Sequence, residues 1–179
     1  MTKRAIFVFG PESSGTRLMT RLLILAGCWG DADHSQRLDV SPPPDDVNLV
    51  VWRRSVPHAA RWFSIDNLIS HLEPHGFTRF QAVVTARDLH AMSHSQVAAG
   101  HVPSVQAART NIQRAYTHIF SQLAKRSIPH ILVTYEGLTT RPRETLRWLT
   151  SALDLTLPAV IPEIYNGNEK WLEKPFSPS

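Results

Sequence analysis

Four short apolar runs punctuate this chain, and helical periodicity fills the gaps between them. Ala5-Ile-Phe-Val-Phe9 is apolar and partly β-branched, which predicts a buried strand stopped by Gly10 and Pro11. From about Ser14 the apolar positions change to helix spacing, with Leu18, Leu22 and Leu25 on one row and Met19, Leu23 and Ala26 beside it. Asn48 to Arg53 reads as a second strand, and Asp66 to Glu73 as a short helix stopped at Pro74-His75-Gly76. Phe80 to Thr85 is the third strand, followed by a polar helix or turn to about Val97. Ser104 can cap a helix carrying Val105, Ala108, Ile112, Ala115, Ile119 and Leu123. His130 to Tyr135 is the fourth strand. Pro142 opens a last helix with Leu146, Leu149 and Leu153 on one face. Gly27 to Asp46, with Pro42-Pro43-Pro44, reads as a long loop, and residues from about 156 to 179 as an irregular tail.

Strands that alternate with helices predict an α/β fold. We expect a three-layer sandwich with a central parallel sheet of about four to five strands, P-loop nucleotide-kinase-like, in one domain over residues 1–179. Ligands in such sheets sit beyond the carboxyl ends of the strands. The residues at those ends are chemically alike. The first strand leads into a small-residue loop, the second into Arg53, Arg54 and His58, the third into Arg87 and Asp88, and the fourth into Tyr135 and Glu136.

Composition narrows the partners. The net charge is +4 with 19 basic residues, mostly Arg, which suits bidentate capture of phosphate or sulfate. No basic run is dense enough to argue for nucleic acid. No stretch approaches the roughly 20 apolar residues of a membrane span. Cys28 is the one cysteine, which excludes an intrachain disulfide and points to a reducing, cytoplasmic setting. No metal-ligand cluster is visible.

The loop after the first strand has the spacing Gly10-x4-Gly15 of a P-loop. A Walker loop would continue with Lys and then Ser/Thr, where this chain has Thr16 and Arg17. A helix starting in such a loop presents free N–H groups and the positive end of its dipole, an anion site.

Three segments together resemble the PAPS-dependent sulfotransferases. Phe9-Gly-Pro-Glu-Ser-Ser-Gly-Thr-Arg17 resembles their 5′-phosphosulfate loop. Val84-Thr-Ala-Arg87-Asp88 with Ser95, eight residues after the Arg, resembles their 3′-phosphate motif. Val133-Thr-Tyr135-Glu136-Gly-Leu138 with Pro142 and the Leu-rich helix resembles their Tyr-Glu-Asp-Leu strand end. The resemblance implies a donor site for PAPS, with PAP as product and no metal. Its residues would be Pro11, Ser13, Ser14, Gly15, Thr16 and Arg17 for the phosphosulfate, Arg87, Ser95 and Lys170 for the 3′-phosphate, and Tyr135 for the adenine. For Arg87 the alternative is a surface ion pair with Asp88 or Glu136.

The acceptor implied is a hydroxyl or amine on a small molecule or glycan, bound by residues 29–47, 98–104 and the tail around Asn166 to Trp171. A homodimer is compatible with this reading. Two departures stand out. Ser13 replaces the loop's usual Lys or Arg, so either Arg17, Arg53 or Arg54 supplies that cation or the enzyme is slow or inactive. Leu18 stands where part of the family has Trp. The general base is assigned to His58, although Ser55 holds the aligned position; Glu12 and then His34 follow as candidates. The rival readings are a nucleotide kinase-like phosphotransferase and a catalytically degenerate nucleotide-binding module.

Overall fold

The structure, a computed structural model, describes residues 2–34, 42–57 and 61–172. Its centre is a four-stranded, wholly parallel sheet of β1 (Lys3–Pro11), β2 (Leu49–Val56), β3 (Phe77–Ala86) and β4 (His130–Thr134), in the order β2-β1-β3-β4. Parallel strands are buried on both faces and so read as continuous apolar runs. The pleat divides β1 accordingly. Ala5, Phe7 and Phe9 face one core, with α2 (Ile65–Leu72) and α4 (Val105–Lys125) packed over them. Ile6 and Val8 face the other, under α1 (Thr16–Leu25), α5 (Tyr135–Thr140) and α6 (Pro142–Ala152). The result is the expected three-layer α/β sandwich.

Aromatic side chains set the first core. Phe7 stacks on Phe9 and on Phe80, and Phe63 stacks on Phe9 at 4.3 Å between ring centres. Aliphatic side chains fill the second, where Met19, Leu22 and Leu23 of α1 meet Val51, Val83 and Val133. Burying one such side chain is worth about 1.5–3 kcal/mol.

Register places the strand ends along one edge. Pro11 of β1 lies beside Val56 of β2, and Ala86 of β3 beside Thr134 of β4. The loops that leave these ends therefore meet. α3 (Leu89–Ala98) starts there, capped by the Asp88 carboxylate, which accepts from the Ala91 N–H at 2.8 Å.

Two boundaries differ from the sequence pattern. β1 continues through Gly10 to Pro11, because Gly10 and Pro11 still sit in register with Ser55 and Val56. Tyr135 is the first residue of α5 and not the last of a strand, since the Thr134 hydroxyl accepts from the Gly137 N–H and caps a helix. The tail also carries one helical turn, α7 (Glu169–Leu172), seated by buried Trp171.

Candidate functional site

The loop after β1 is built on small residues for steric reasons. A Cβ on Gly10 would lie 2.2 Å from Thr85 Oγ1 and 2.3 Å from Ser14 Oγ. Those hydroxyls are 2.7 Å apart and buried, and Thr85 also donates to the Phe9 carbonyl at 3.3 Å. The single hydroxyl proton of Thr85 is thereby used, so Ser14 is the donor of the pair. Ser13 has φ 69° and Gly15 φ 97°, both left-handed. Gly15 suits that conformation, and its Cα faces the Tyr135 ring, where a Cβ would come to 3.0 Å.

The Ser14 N–H donates to the Pro11 carbonyl at 3.1 Å and closes the turn. The N–H groups of Thr16, Arg17 and Leu18 open α1, where no earlier helical carbonyl can accept from them. Gly15 at the N-cap gives them no side-chain cap. This cradle of donors fits a phosphate or phosphosulfate.

Arg87 leaves β3 into the same place. Its Nη1 donates to the Ser13 carbonyl at 2.9 Å, its Nη2 to the Gly167 carbonyl at 2.9 Å, and its Nε to Asn168 Oδ1 at 2.6 Å. Its guanidinium lies over the Tyr135 ring at 4.6 Å. The surface ion pair weighed for it is not the arrangement found. Asp88 caps α3, and Glu136 Oε1 accepts from the Asp88 N–H and from Asn168 Nδ2. Burial pushes the Arg87 guanidinium down from its usual range, while Tyr135, Glu136 and Asp88 hold it up. Three of its five N–H groups are taken by the protein, which leaves two for an anion.

Tyr135 also anchors the tail. Its hydroxyl donates to the Tyr165 carbonyl and accepts from the Gly167 N–H, both at 2.9 Å. Ser95 is half-buried on α3. Lys170 is exposed and lies over the Trp171 ring at 4.7 Å.

The candidate cations separate by the pleat of β2. Arg54 stacks on Trp52 at 4.8 Å, on the α2 side of the sheet. Arg53 turns to the α1 side and is 9% exposed. Its Nη1 is 3.4 Å from Ser55 Oγ, which lies 3.1 Å from Thr16 Oγ1 at the start of α1. Burial and then Arg17 push the Arg53 guanidinium down, opposed by Asp33 and Asp31. Arg17 itself is exposed, its Nε 3.6 Å from Asp33.

Of the candidate bases, Glu12 is in the loop, but its carboxylate meets His101 Nδ1 at 3.1 Å, and its carbonyl accepts from Gln96 Nε2 at 2.7 Å. His34 is paired with Asp31 at 3.5 Å. His58 lies outside the described residues. Among the described residues no cluster of three or more His, Cys, Asp or Glu side chains could hold a metal ion. Nor is any described helix long and apolar enough to cross a membrane.

Several residues of this site carry no donor-site signal in the sequence. Thr85 looks like an ordinary strand former. Gly167 and Asn168 lie in the tail that the sequence assigns to the acceptor, in a segment without periodicity that would tie them to Arg87. Tyr116, whose hydroxyl donates to the Thr85 carbonyl at 3.1 Å, reads only as part of a helix. Burial, and then the Glu136 charge, push its phenol up to about 12, so it stays a donor at neutral pH.

The same architecture occurs in a solved structure, the sulfotransferase domain from the olefin synthase of Synechococcus PCC 7002. The TM-score is 0.56 at 12% sequence identity, over 93% of this chain and 76% of that one. The chain thus has a sulfotransferase-type α/β fold with a P-loop-like first loop. No protein-family profile and no curated protein matches the sequence.

Proposed function

We propose that this protein is a PAPS-dependent sulfotransferase, moving a sulfuryl group to a hydroxyl or amine of a small molecule or glycan. The observation that carries this reading is Arg87. It joins the end of β3 to the β1–α1 loop and to the C-terminal segment, so one guanidinium links three separate segments of the candidate donor site. A donor with phosphates at both ends of a nucleoside fits such a pair of cation and helix start. PAPS would supply an activated sulfuryl group.

The chain's own residues would position and stabilise. The first-turn N–H groups of α1 hold the phosphosulfate end. Arg87, with Ser95, holds the 3′-phosphate. Arg53 supplies the cation that Ser13 does not, acting through Ser55 and Thr16 on the mouth of α1. The bond from sulfur to the acceptor's oxygen or nitrogen forms as the bridging sulfur–oxygen bond to PAP breaks, and the acceptor's proton passes to a base, with His58 the first candidate. Such in-line transfer depends on positioning and charge stabilisation more than on covalent help. The buried Cys28 suits a reducing, cytoplasmic setting.

The test is turnover with radiolabelled PAPS across a panel of phenol, sugar and amine acceptors, with His58→Ala and Arg53→Ala beside the wild type. Loss of about 10²-fold or more in turnover, with PAP binding intact, supports His58 as base. A second reading is a nucleotide-binding module without turnover. It is favoured by Ser13 at the loop-cation position and by Arg17 being drawn off to Asp33. Tight PAP binding with no transfer to any acceptor would select it.

A further inference from the structure

Two adjoining cavities run along one side of α4 and share Thr110 and Gln113. The inner one, about 440 Å³, begins at Arg87 and is walled by Met92, Ile112 and Tyr116, with Arg109 beside them. The outer one, about 670 Å³, ends at Trp62 and is lined by Arg114, Thr117 and His118. Together they lead from the candidate donor site to the segment that follows β2.

The lining has a definite chemical character. Arg87, Arg109 and Arg114 face it, and no carboxylate is among the described residues that line either cavity. α4 itself contains no acidic residue over its whole length. The cleft is therefore matched to an anion.

Its outer end is an aromatic platform. Trp62 is 37% exposed, Arg114 lies over its ring at 5.7 Å, and His118 meets it edge-on at 5.1 Å. His118 is fixed in turn, because its Nε2 bonds the Phe63 carbonyl at 2.8 Å and its ring packs against Phe63, which stacks on Phe9. The platform is thus tied to the core. Around it stand short neutral donors and acceptors: Thr110, Gln113, Thr117 and Ser121. A flat ring with an apolar face and a polar rim suits an indole beside hydroxyls and amides, and a carboxylate suits the planar fork of Arg114.

We propose that this cleft binds an acidic oligosaccharide. A sugar ring lies on Trp62, its carboxylate pairs with Arg114, and its hydroxyls meet Thr110, Gln113 and Thr117. That this sugar is the sulfate acceptor rests on the sulfotransferase reading; the binding site itself does not. The location differs from residues 29–47, residues 98–104 and the tail around Asn166 to Trp171, where the sequence places the acceptor.

The experiment is calorimetric titration of the full chain with a hyaluronan hexasaccharide, which carries carboxylates, and with chitohexaose, which is neutral. Trp62 and Arg114 are exposed, so Trp62→Ala and Arg114→Ala should fold, and circular dichroism together with a parallel PAP titration checks that they do. The wild type should bind hyaluronan at least tenfold more tightly than chitohexaose. Each alanine variant should lose at least tenfold in hyaluronan affinity, and Trp62→Phe should recover part of it. Hyaluronan binding that is absent in the wild type, unchanged in both alanine variants, or no tighter than chitohexaose overturns the proposal. So does Trp62-dependent binding of a tyrosine-containing peptide with no response to either sugar. Hyaluronan binding without PAP binding would uphold this cleft and sink the donor site, so the two readings fail separately.

Discussion

Arg87 is where the residue-scale chemistry concentrates. Hydrogen bonds to charged groups contribute about 1.5–3 kcal/mol each. Arg87→Ala should therefore weaken PAP binding by roughly 10- to 100-fold. Arg87→Lys should not restore it, because one ammonium cannot span Ser13, Gly167 and Asn168 and still present two N–H groups to an anion. PAP affinity equal to wild type in Arg87→Ala would remove this residue from the site. Gly10 is the second test. Its missing Cβ leaves room for the Ser14–Thr85 pair, so Gly10→Ala should destabilise the protein by about 1–3 kcal/mol in urea unfolding. Legibility at this scale depends on spacing. Arg87, Gly15 and Tyr135 follow strand ends and could be placed from the pattern. Thr85, Gly167 and Asn168 could not, because their importance comes from partners 71 to 81 residues away in sequence. The pleat that sends Arg53 and Arg54 to opposite faces was readable in principle, but deciding which side carries α1 required the topology.

Whole elements were legible where they are long and one-sided. The row Ala108, Ile112, Ala115, Ile119 and Leu123 forms the buried face of α4 as its periodicity predicts. The six-residue α5 and four-residue α7 are shorter than two turns and have no period to read. α2 and α4 are joined by Asp66, which accepts from Lys125 and Arg126. Hydrogen bonds from Lys125 and then Arg126 hold its carboxyl below the usual range. A carboxyl depressed in the folded state adds stability above its ordinary pKa and loses that contribution as pH falls through the depressed value. Asp66→Asn should therefore unfold at lower urea than wild type at neutral pH, and the two midpoints should converge in acid. A gap that persists in acid would mean the side chain acts through packing and not through charge. On the other face, Leu22 of α1 is fully enclosed, and Leu22→Ala should cost about 2–5 kcal/mol in the same assay.

At the scale of the molecule, the parallel order β2-β1-β3-β4 brings the carboxyl ends of all four strands to a common edge. That convergence is what the sequence pattern foresaw, and the alternation of strand and helix was enough to foresee it. The core's integrity has its own reporter. Burial raises the Cys28 thiol to about 12, so little thiolate exists near neutral pH. Labelling of Cys28 by a thiol reagent should track global unfolding in urea, and rapid labelling of the native protein would contradict a closed second core. The most direct measurement of the donor site is calorimetric titration of the full chain with PAP, without added metal, against a matched titration with ATP and Mg²⁺. One PAP site, stronger than ATP by at least tenfold and weakened in Arg87→Ala, is the expected result. No PAP binding, with clear binding of ATP and Mg²⁺, would contradict it.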